Sequence, residues 1–584
     1  MNEEQQYMSF DHKTRMIKAL DGLYEFEREP VSADKLQPGR HFAGVFAGEH
    51  VAGTEFVIGA LFVAWGVTAF DIFVGLLVGN LMAVLTWTFV CAPIAVRTRL
   101  TLYWYLRKIA GPVTATIYNI LNAVLFCILA GCMITVSASA VRIPFGIPAQ
   151  TLWYPQDIRF VLVAIAVGAV VVTLAILGFK RLAQFAEICS PWMFLMFIAG
   201  AIAILPSLAA KTLDGRQIST FQDFWTVANK TIWTGKVPGG GEPMNFWQVA
   251  AFAWICNLAM HAGLSDMALF RYARKASYGL YSAFGMFLGH YLAWICAGVM
   301  GAATALIVGK SMNQLDAGDV AWQALGLSGI IAVVLAGWTT SNPTLYRAGL
   351  ALQAVTPGWP RWLVTLAAGA ATTAIACFPF VFTKLLDFVA LYGLLLSPVG
   401  AIVFVEHWVF PKLGLTQFWV SRRKLLVSWP ALLSWTIAIA TALTLERTGT
   451  LHLFFLFVPV WFLTAVLYPV FSLMAGAREK HSEQDSDQTL EDITSDTTLP
   501  ETPTENRTSE KNENDKDAVL WISGIVAAAS LLACLILPLW VYITSNRGYD
   551  RNFDTFRNIL IWPTLIYFVT GTIWAVKIDM AKKH

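Results

Sequence analysis

The sequence predicts an all-α integral membrane protein of about 14 transmembrane helices, on three observations. Of its 584 residues, 57% are hydrophobic and only 14% are charged, and the mean hydropathy of +0.58 lies outside the range of soluble domains. Apolar runs of the ~20 residues needed to cross a bilayer recur from residue 41 onward. The ~10-residue alternation typical of barrel strands is missing from the sequence, and helices satisfy their own backbone groups in lipid.

Fourteen apolar segments are predicted as membrane spans, numbered 1 to 14 along the chain. They cover residues 41–66, 68–96, 113–138, 159–178, 186–207, 246–267, 277–308, 320–342, 360–379, 383–408, 427–445, 451–475, 519–544 and 558–577. The polar segment before span 1 lacks the apolar core and cleavage site of a signal peptide, so span 1 is predicted to be the targeting element.

Lysine and arginine residues are concentrated in the loops that follow even-numbered spans. By the positive-inside rule, these loops and the amino terminus are predicted to be cytoplasmic. An even number of spans then places the carboxyl terminus on the same side of the cell membrane. The basic residues concerned are Arg97, Arg99, Arg107, Lys108, Lys180, Arg181, Arg271, Arg274, Lys275, Lys412, Arg422, Arg423 and Lys424.

Two spans about two hundred residues apart contain the same kind of polar, glycine-containing interruption. In span 1 it runs from His50 to Glu55, and in span 6 from His261 to Asp266. Ionisable groups are costly in hydrocarbon and glycine loosens a helix, so the matched pair predicts two broken helices that frame a binding site. The alternative is that the small residues serve helix packing and the acids lie at the membrane edge.

Span 8 carries a polar run that a lipid-facing helix does not tolerate. Five of the six residues from Thr339 to Thr344 have hydroxyl or amide side chains. These hydroxyls, with backbone carbonyls freed by Pro343, are hard oxygen ligands suited to an alkali cation. The alternative is interhelical hydrogen bonding, worth only ~0.6 kcal/mol per contact.

Three further patterns stand out in spans 8, 2 and 10. They are residues 338–350, WTTSNPTLYRAGL, residues 71–81, DIFVGLLVGNL, and residues 396–408, LSPVGAIVFVEHW. In this order they resemble the eighth, second and tenth helices of the nucleobase:cation symporter-1 family, which includes the cytosine permeases. The similarity extends over roughly residues 41–475 and keeps the family's order of motifs.

This resemblance implies a LeuT-like core of two inverted five-helix repeats, in which helices 1 and 6 unwind at mid-membrane. It also implies a sodium site between helices 1 and 8. Hydroxyl ligands correspond to Thr339 and Thr340, a helix 8 carbonyl to Ala336, and helix 1 carbonyls to the stretch from Ala52 to Phe56. A proton relay is the alternative to sodium, with Glu49, His50, Glu55 and His261 as its members.

In the resembling family, a flat heterocycle lies between aromatic side chains of helices 3 and 6. The helix 3 aromatic corresponds to Phe126, whereas the helix 6 aromatic position is Ala259 and the helix 3 amide position is Ala130. These departures argue against cytosine itself as the substrate. Glu55 and His261 instead indicate a ligand with a hydrogen-bonding or cationic group, because an acid buried at the break must find a partner. The predicted substrate contacts are Gly53, Thr54, Glu55, Phe126, His261, Gly263, Ser341 and Asn342.

The sequence therefore predicts a secondary active transporter that takes up a nucleobase-like or related small nitrogenous heterocycle together with Na⁺ or H⁺. Two alternatives remain open: a LeuT-fold symporter for an amino acid, amine or vitamin-like solute, and a membrane sensor without transport activity. No serine elbow, zinc motif or Walker sequence supports an enzyme. The formal charge of +3 and the absence of a nucleic-acid module predict no nucleic-acid partner.

Five segments are predicted along the chain. Residues 478–518 are rich in acids and nearly free of large apolar side chains, which predicts a disordered cytoplasmic linker, with partner docking as the alternative. The two spans after it are predicted to be an appendage for packing or for contacts between copies of the chain. The segments are a cytoplasmic tail (1–40), a ten-helix transport core (41–408), helices 11 and 12 (409–477), the linker (478–518) and two further helices with a short tail (519–584).

Overall fold

The computed structural model describes residues 20–150, 152–379, 385–478 and 518–581. Within these ranges the regular structure is helical, apart from two isolated bridges that join Gln37 to Ala273 and Thr68 to Thr234. Nearly all of the predicted acidic linker, and the first nineteen residues of the predicted tail, lie outside the described residues.

Helices occupy all fourteen predicted spans. Their bounds are Gly39–His50 (span 1a), Glu55–Ala64 (1b), Asp71–Thr98 (2), Leu102–Val141 (3), Ile158–Ile176 (4), Phe179–Thr212 (5), Phe246–Ile255, Leu258–His261 and Met267–Phe270 (6), Ala276–Val308 (7), Leu327–Gln353 (8), Arg361–Ala376 (9), Leu385–Phe404 (10), Trp429–Arg447 (11), Leu453–Met474 (12), Ala518–Ile543 (13), and Tyr549–Ile559 with Ile561–Ala581 (14). Among the described helices, ten are long and apolar enough to cross a membrane, and span 1 is an eleventh when its halves are taken together. Spans 6 and 9 are shorter, and span 8 carries the polar run.

Both predicted helix breaks are present. Span 1a ends at His50 and span 1b begins at Glu55, with a bend of 51° between them. Gly53 lies in this break, where an added Cβ would come within 3.1 Å of the Val333 carbonyl oxygen. Span 6 is interrupted between His261 and Met267, as predicted, and also between Ile255 and Leu258.

Several span boundaries differ from the prediction, and two of the differences occur at a glycine with positive φ inside the predicted apolar run. The helix of span 3 begins at Leu102 instead of residue 113, with a kink at Gly111, where φ is +82°. The predicted start of span 8 is a separate helix, Ala317–Leu325, which ends at Gly326, where φ is +61°. Periodicity does not detect such joints because the apolar pattern continues through them.

The broken part of span 1 lies at the centre of the helix packing. Span 8 packs along span 3, and span 9 packs on spans 3 and 4. Span 1a contacts spans 5 and 7, span 1b contacts span 7, and the first helix of span 6 packs on span 2. The break is therefore surrounded by protein, as backbone without helical hydrogen bonds requires inside a membrane.

Residues 20–36 cover one end of spans 6 and 8, and this end of the molecule is called the tail side below. Arg28 donates to the carbonyl oxygens of Gln353 and Thr356, at 2.7 and 2.8 Å. From the membrane helices, Arg361 donates to the Leu23 carbonyl at 2.8 Å and Arg271 to the Phe26 carbonyl at 2.7 Å. These bonds hold the segment over the tail-side ends of both spans.

Spans 13 and 14 pack against each other. Both also contact span 5, and span 13 contacts it more extensively than span 14 does. Trp192 of span 5 donates through Nε1 to Thr564 at 3.2 Å, and Tyr567 donates to the Ile188 carbonyl at 2.8 Å. The face of span 5 that they cover is turned away from the break in span 1.

Gly289 of span 7 permits the closest approach to the end of span 1a. A Cβ at this position would lie 2.2 Å from the His50 carbonyl oxygen. Because this oxygen belongs to the backbone, it cannot move away by a side-chain rotation. Gly289→Ala is therefore expected to destabilise the protein by roughly 1–3 kcal/mol. Thermal unfolding of the purified variant measures the effect, and Gly571→Ala, whose Cβ would have its nearest neighbour at 3.6 Å, is the matched control. Equal melting temperatures for the two variants would contradict this packing.

Candidate functional site

The break in span 1 opens into a narrow cavity of about 60 Å³ between spans 1, 3, 6, 7, 8 and 10. The accessible surface of its walls is mainly apolar and polar side chains contribute the rest, a combination that small-molecule sites share. The lining residues are Glu49, His50, Ala52, Thr54, Glu55, Ile58, Leu129, Met133, Cys256, Asn257, Met260, His290, Thr340, Thr344, Val389 and Tyr392.

Glu55 is the first residue of span 1b, and its carboxylate is 3% exposed. It accepts a hydrogen bond from Trp294 Nε1, and His290 Nε2 lies 3.7 Å away, beyond hydrogen-bond distance. None of the described residues that line the cavity is a lysine or an arginine. Glu55 thus faces the cavity with a neutral hydrogen-bond donor and without a permanently cationic neighbour.

Four other polar groups in the cavity wall have unused hydrogen-bonding capacity. His50 Nε2, Asn257 Nδ2, His290 Nδ1 and the Tyr392 hydroxyl are buried and have no hydrogen-bond partner among the residues that the structure describes. His50 uses its other nitrogen, Nδ1, to contact the Phe46 carbonyl at 2.8 Å, which fixes its ring. Since buried polar groups are nearly always paired in folded proteins, these atoms indicate a place for a polar guest.

A buried ion cluster lies beside the cavity and joins spans 1, 6 and 8. Arg347 donates to both carboxylate oxygens of Glu49, at 2.6 and 3.0 Å, and through Nε and Nη2 to Asp266. The second Asp266 oxygen accepts a hydrogen bond from Trp87 Nε1 at 2.6 Å. All three charged side chains are buried, so this bidentate geometry makes Arg347 the main electrostatic link between span 8 and the two broken spans.

The polar run of span 8 places oxygen atoms against span 1a. The Thr340 hydroxyl donates to the Glu49 carbonyl at 2.8 Å and to the Ala336 carbonyl at 2.9 Å. The Thr339 hydroxyl donates to Ala336 at 3.2 Å. Two hydroxyls and two carbonyls from two spans thus come together, and such hard oxygen donors fit an alkali cation once the hydroxyls rotate to present lone pairs.

The structure brings only part of the predicted site together. Ala52, Thr54, Glu55 and Thr340 line the cavity, and Ala336 with Thr339 adjoins it through the oxygen cluster. The predicted helix 1 carbonyls begin at Ala52, whereas the carbonyl that contacts span 8 is that of Glu49.

The other predicted residues do not line the cavity. Gly53 faces spans 3 and 8. The Phe126 ring packs edge-on against the Tyr392 ring, with 5.9 Å between ring centroids, and the Phe56 ring stacks on the Phe197 ring, with 4.2 Å between centroids. In span 6, His261 contacts the Trp254 carbonyl at 2.8 Å and Gly263 packs against Gly400. In span 8, the Ser341 hydroxyl donates to the Ala130 carbonyl at 3.3 Å. Asn342 is buried, and neither atom of its amide group has a hydrogen-bond partner among the described residues. These residues build the walls behind the lining.

Most of the lining residues were not among the predicted site residues, and neither was Arg347 of the ion cluster. Asn257 lies in the additional interruption of span 6, one turn before the polar motif that marks the second break. Tyr392 and His290 come from spans 10 and 7, and Arg347 ends the polar run of span 8. For His290, the sequence signal was a histidine inside an apolar span. For Tyr392, no comparable signal is present in the sequence.

Among the residues that the structure describes, no group of three or more His, Cys, Asp and Glu side chains is arranged to hold a metal ion.

Solved structures of other proteins share this arrangement of membrane helices. Mhp1, described as a nucleobase-cation-symport-1 family transporter, in a closed conformation with bromovinylhydantoin bound, is 16% identical, with a TM-score of 0.59 over 79% of this chain and 98% of that chain. Its inward-facing conformation is 16% identical and gives a TM-score of 0.55 over 77% and 96%. A substrate-bound, outward-open Na⁺-coupled sialic acid symporter is 14% identical and gives 0.55 over 79% and 96%.

No protein-family model matches the chain, and no curated protein matches it in sequence. The structural likenesses confirm the predicted fold class, an all-α membrane protein with a LeuT-like core.

Proposed function

We propose that this protein is a secondary active transporter related to the nucleobase:cation symporter-1 family, which carries a small nitrogenous solute across the membrane with a cation. The observation that carries the proposal is the central cavity at the break in span 1, whose wall holds four buried polar groups that no described residue pairs with. A site enclosed between broken helices at the centre of the helix packing is the arrangement that alternating access uses.

The proposed substrate is a nucleobase-like or related small heterocycle. Tyr392, His50 and His290 supply ring surfaces in the cavity wall, and Asn257 supplies an amide. Aromatic faces with a few directed polar groups suit a flat ring that carries nitrogen and oxygen atoms.

Sodium is the proposed coupling ion, held by Thr339, Thr340 and the carbonyls of Ala336 and Glu49. These atoms come from span 8 and span 1a. An ion bound between them favours the conformation in which these helices are in contact, so its binding and the helix arrangement are linked.

The proposed transport cycle opens and closes the tail side of the molecule. Arg347 ties span 8 to Glu49 and Asp266, and residues 20–36 lie over the ends of spans 6 and 8. Release of the solute on this side requires that these contacts separate. We assign this side to the cytoplasm of the cell membrane, in line with the distribution of basic loops.

We further propose that residues 41–408 form the transport core and that spans 13 and 14 are an accessory pair. Their hydrogen bonds to span 5 support a role in bracing that helix within one copy of the chain.

Uptake by purified protein in liposomes tests the proposal. With an inward Na⁺ gradient, at least one solute of a panel of neutral bases (adenine, hypoxanthine, cytosine, uracil, hydantoin) and cationic compounds (histamine, 3-(aminomethyl)pyridine, benzamidine) is expected to accumulate. An equal K⁺ gradient is expected not to drive it. Accumulation driven by a proton gradient alone would replace Na⁺ by H⁺ as the coupling ion. Absence of flux under every gradient would reject transport and favour the sensor alternative.

A further inference from the structure

We infer that the transported solute carries a positively charged nitrogen, which binds the carboxylate of Glu55. This inference rests on the proposed function and specifies the chemical class of the substrate: a heterocycle with a protonated amine or amidine group.

The first support is the surroundings of Glu55. Its carboxylate is buried at the start of span 1b, and its hydrogen-bond partner, Trp294 Nε1, is neutral. A buried carboxylate without a counter-charge is costly, so it is stable in its charged form only when a cation pairs with it. Glu49, the other acid in the cavity wall, differs because Arg347 pairs with it on both oxygens.

The second support is the charge around the cavity. Three acids lie in the cavity wall or beside it: Glu49, Asp266 and Glu55. Among the described side chains that pair with these acids, Arg347 is the one that is permanently positive. With the histidines neutral, three carboxylates and one guanidinium leave a formal charge of −2. One alkali cation at Thr340 neutralises half of it, and one cationic group on the solute at Glu55 neutralises the rest.

The third support is the set of unpaired polar atoms near the same wall. Asn257 Nδ2 donates hydrogen bonds only, and the Tyr392 hydroxyl and His50 Nε2 also lack partners. A solute that places its cationic nitrogen on Glu55 therefore also needs an acceptor, such as a ring nitrogen or a carbonyl oxygen, for Asn257. A neutral solute would satisfy these atoms and leave the carboxylate without a counter-charge.

Glu55→Gln is the informative variant because it removes the charge and preserves the shape. The amide oxygen of Gln still accepts the hydrogen bond from Trp294, so the variant is expected to fold. Glu406→Gln is the matched control: Glu406 is equally buried, accepts hydrogen bonds from Tyr468 at 2.8 Å and the Phe418 amide at 2.7 Å, and lies outside the cavity.

Thermal shifts of the full chain in nanodiscs, with Na⁺ present, test the inference with pairs of probes that differ in charge. The pairs are 3-(aminomethyl)pyridine with nicotinamide, histamine with imidazole, and benzamidine with benzamide. At least one cationic probe is expected to stabilise wild type and Glu406→Gln. For that probe, Glu55→Gln is expected to bind roughly 30-fold more weakly or worse, as loss of a buried charge pair implies.

Two results would overturn the inference. One is stabilisation by neutral probes that is equal in wild type and Glu55→Gln, and the other is failure of every cationic probe to stabilise wild type. Neither result rejects transport, which the liposome assay measures separately. Conversely, charge-dependent binding without flux would retain the Glu55 assignment and reject the proposed function.

Discussion

Replacement of Arg347 by methionine is expected to destabilise the folded protein by about 3–5 kcal/mol, because it leaves two buried carboxylates without their cation. Arg347 makes the hydrogen bonds of 2.6 and 3.0 Å to Glu49, and Asp266 would retain only its bond from Trp87 at 2.6 Å. The carboxylates belong to spans 1 and 6, so their repulsion acts on both broken helices. The melting temperature of the purified variant in detergent, followed by tryptophan fluorescence, measures the loss.

Two further variants distinguish the loss of charge balance from the loss of a large side chain. The triple variant Glu49→Gln, Asp266→Asn and Arg347→Met removes all three charges and is expected to recover most of the lost stability. Arg159→Ala, which removes an exposed arginine 2.7 Å from Asp157, is expected to leave the melting temperature unchanged. A wild-type melting temperature for Arg347→Met would show that the ion cluster does not hold these spans together.

The second large effect is expected at the cation site. Thr340→Val keeps the β-branched shape and removes the hydroxyl that contacts the Glu49 and Ala336 carbonyls, at 2.8 and 2.9 Å. Loss of one oxygen ligand is expected to weaken Na⁺ binding roughly tenfold or more. Titration of the melting temperature with NaCl, at constant ionic strength in KCl, gives the apparent Na⁺ affinity.

Thr464→Val is the control for this substitution. The Thr464 hydroxyl is also buried, but it lies in span 12 and donates to the Val460 carbonyl of its own helix at 2.8 Å. This variant is expected to retain the Na⁺ response of wild type. If Thr340→Val retains it too, the cation does not bind between spans 1 and 8.

The fold was predictable because membrane burial leaves strong marks in a sequence. Long apolar runs located the spans, and a histidine, a glycine and an acid within six residues located the two breaks. Polar side chains inside apolar helices are costly in lipid, so their positions in the sequence indicate which residues face the protein interior. Glu55 and Thr340 follow this rule, since both line the central cavity.

The lining of the cavity was less predictable because it depends on helix rotation. A shift of one residue turns a side chain by about 100° around a helix. An interruption changes the facing as well: His261 contacts Trp87 and the Trp254 carbonyl, whereas Asn257, four residues earlier, faces the cavity. In a continuous helix these two residues would share a face, but Asn257 lies in the interruption between Ile255 and Leu258. The pairing of Arg347 with Glu49 joins residues 298 positions apart, a distance over which sequence periodicity carries no information.

Modification of Cys256 tests most directly whether the cavity at the broken helices is a pathway that opens to alternate sides. Cys256 is a native residue in the cavity wall, and a variant that retains it as its single cysteine is measured with a membrane-impermeant thiol reagent. In right-side-out and inverted vesicles, we expect the reagent to reach Cys256 from both faces, with Na⁺ slowing the reaction from the tail side relative to K⁺. Reaction from one face only, at a rate that is the same in Na⁺ and K⁺, would contradict alternating access through this cavity.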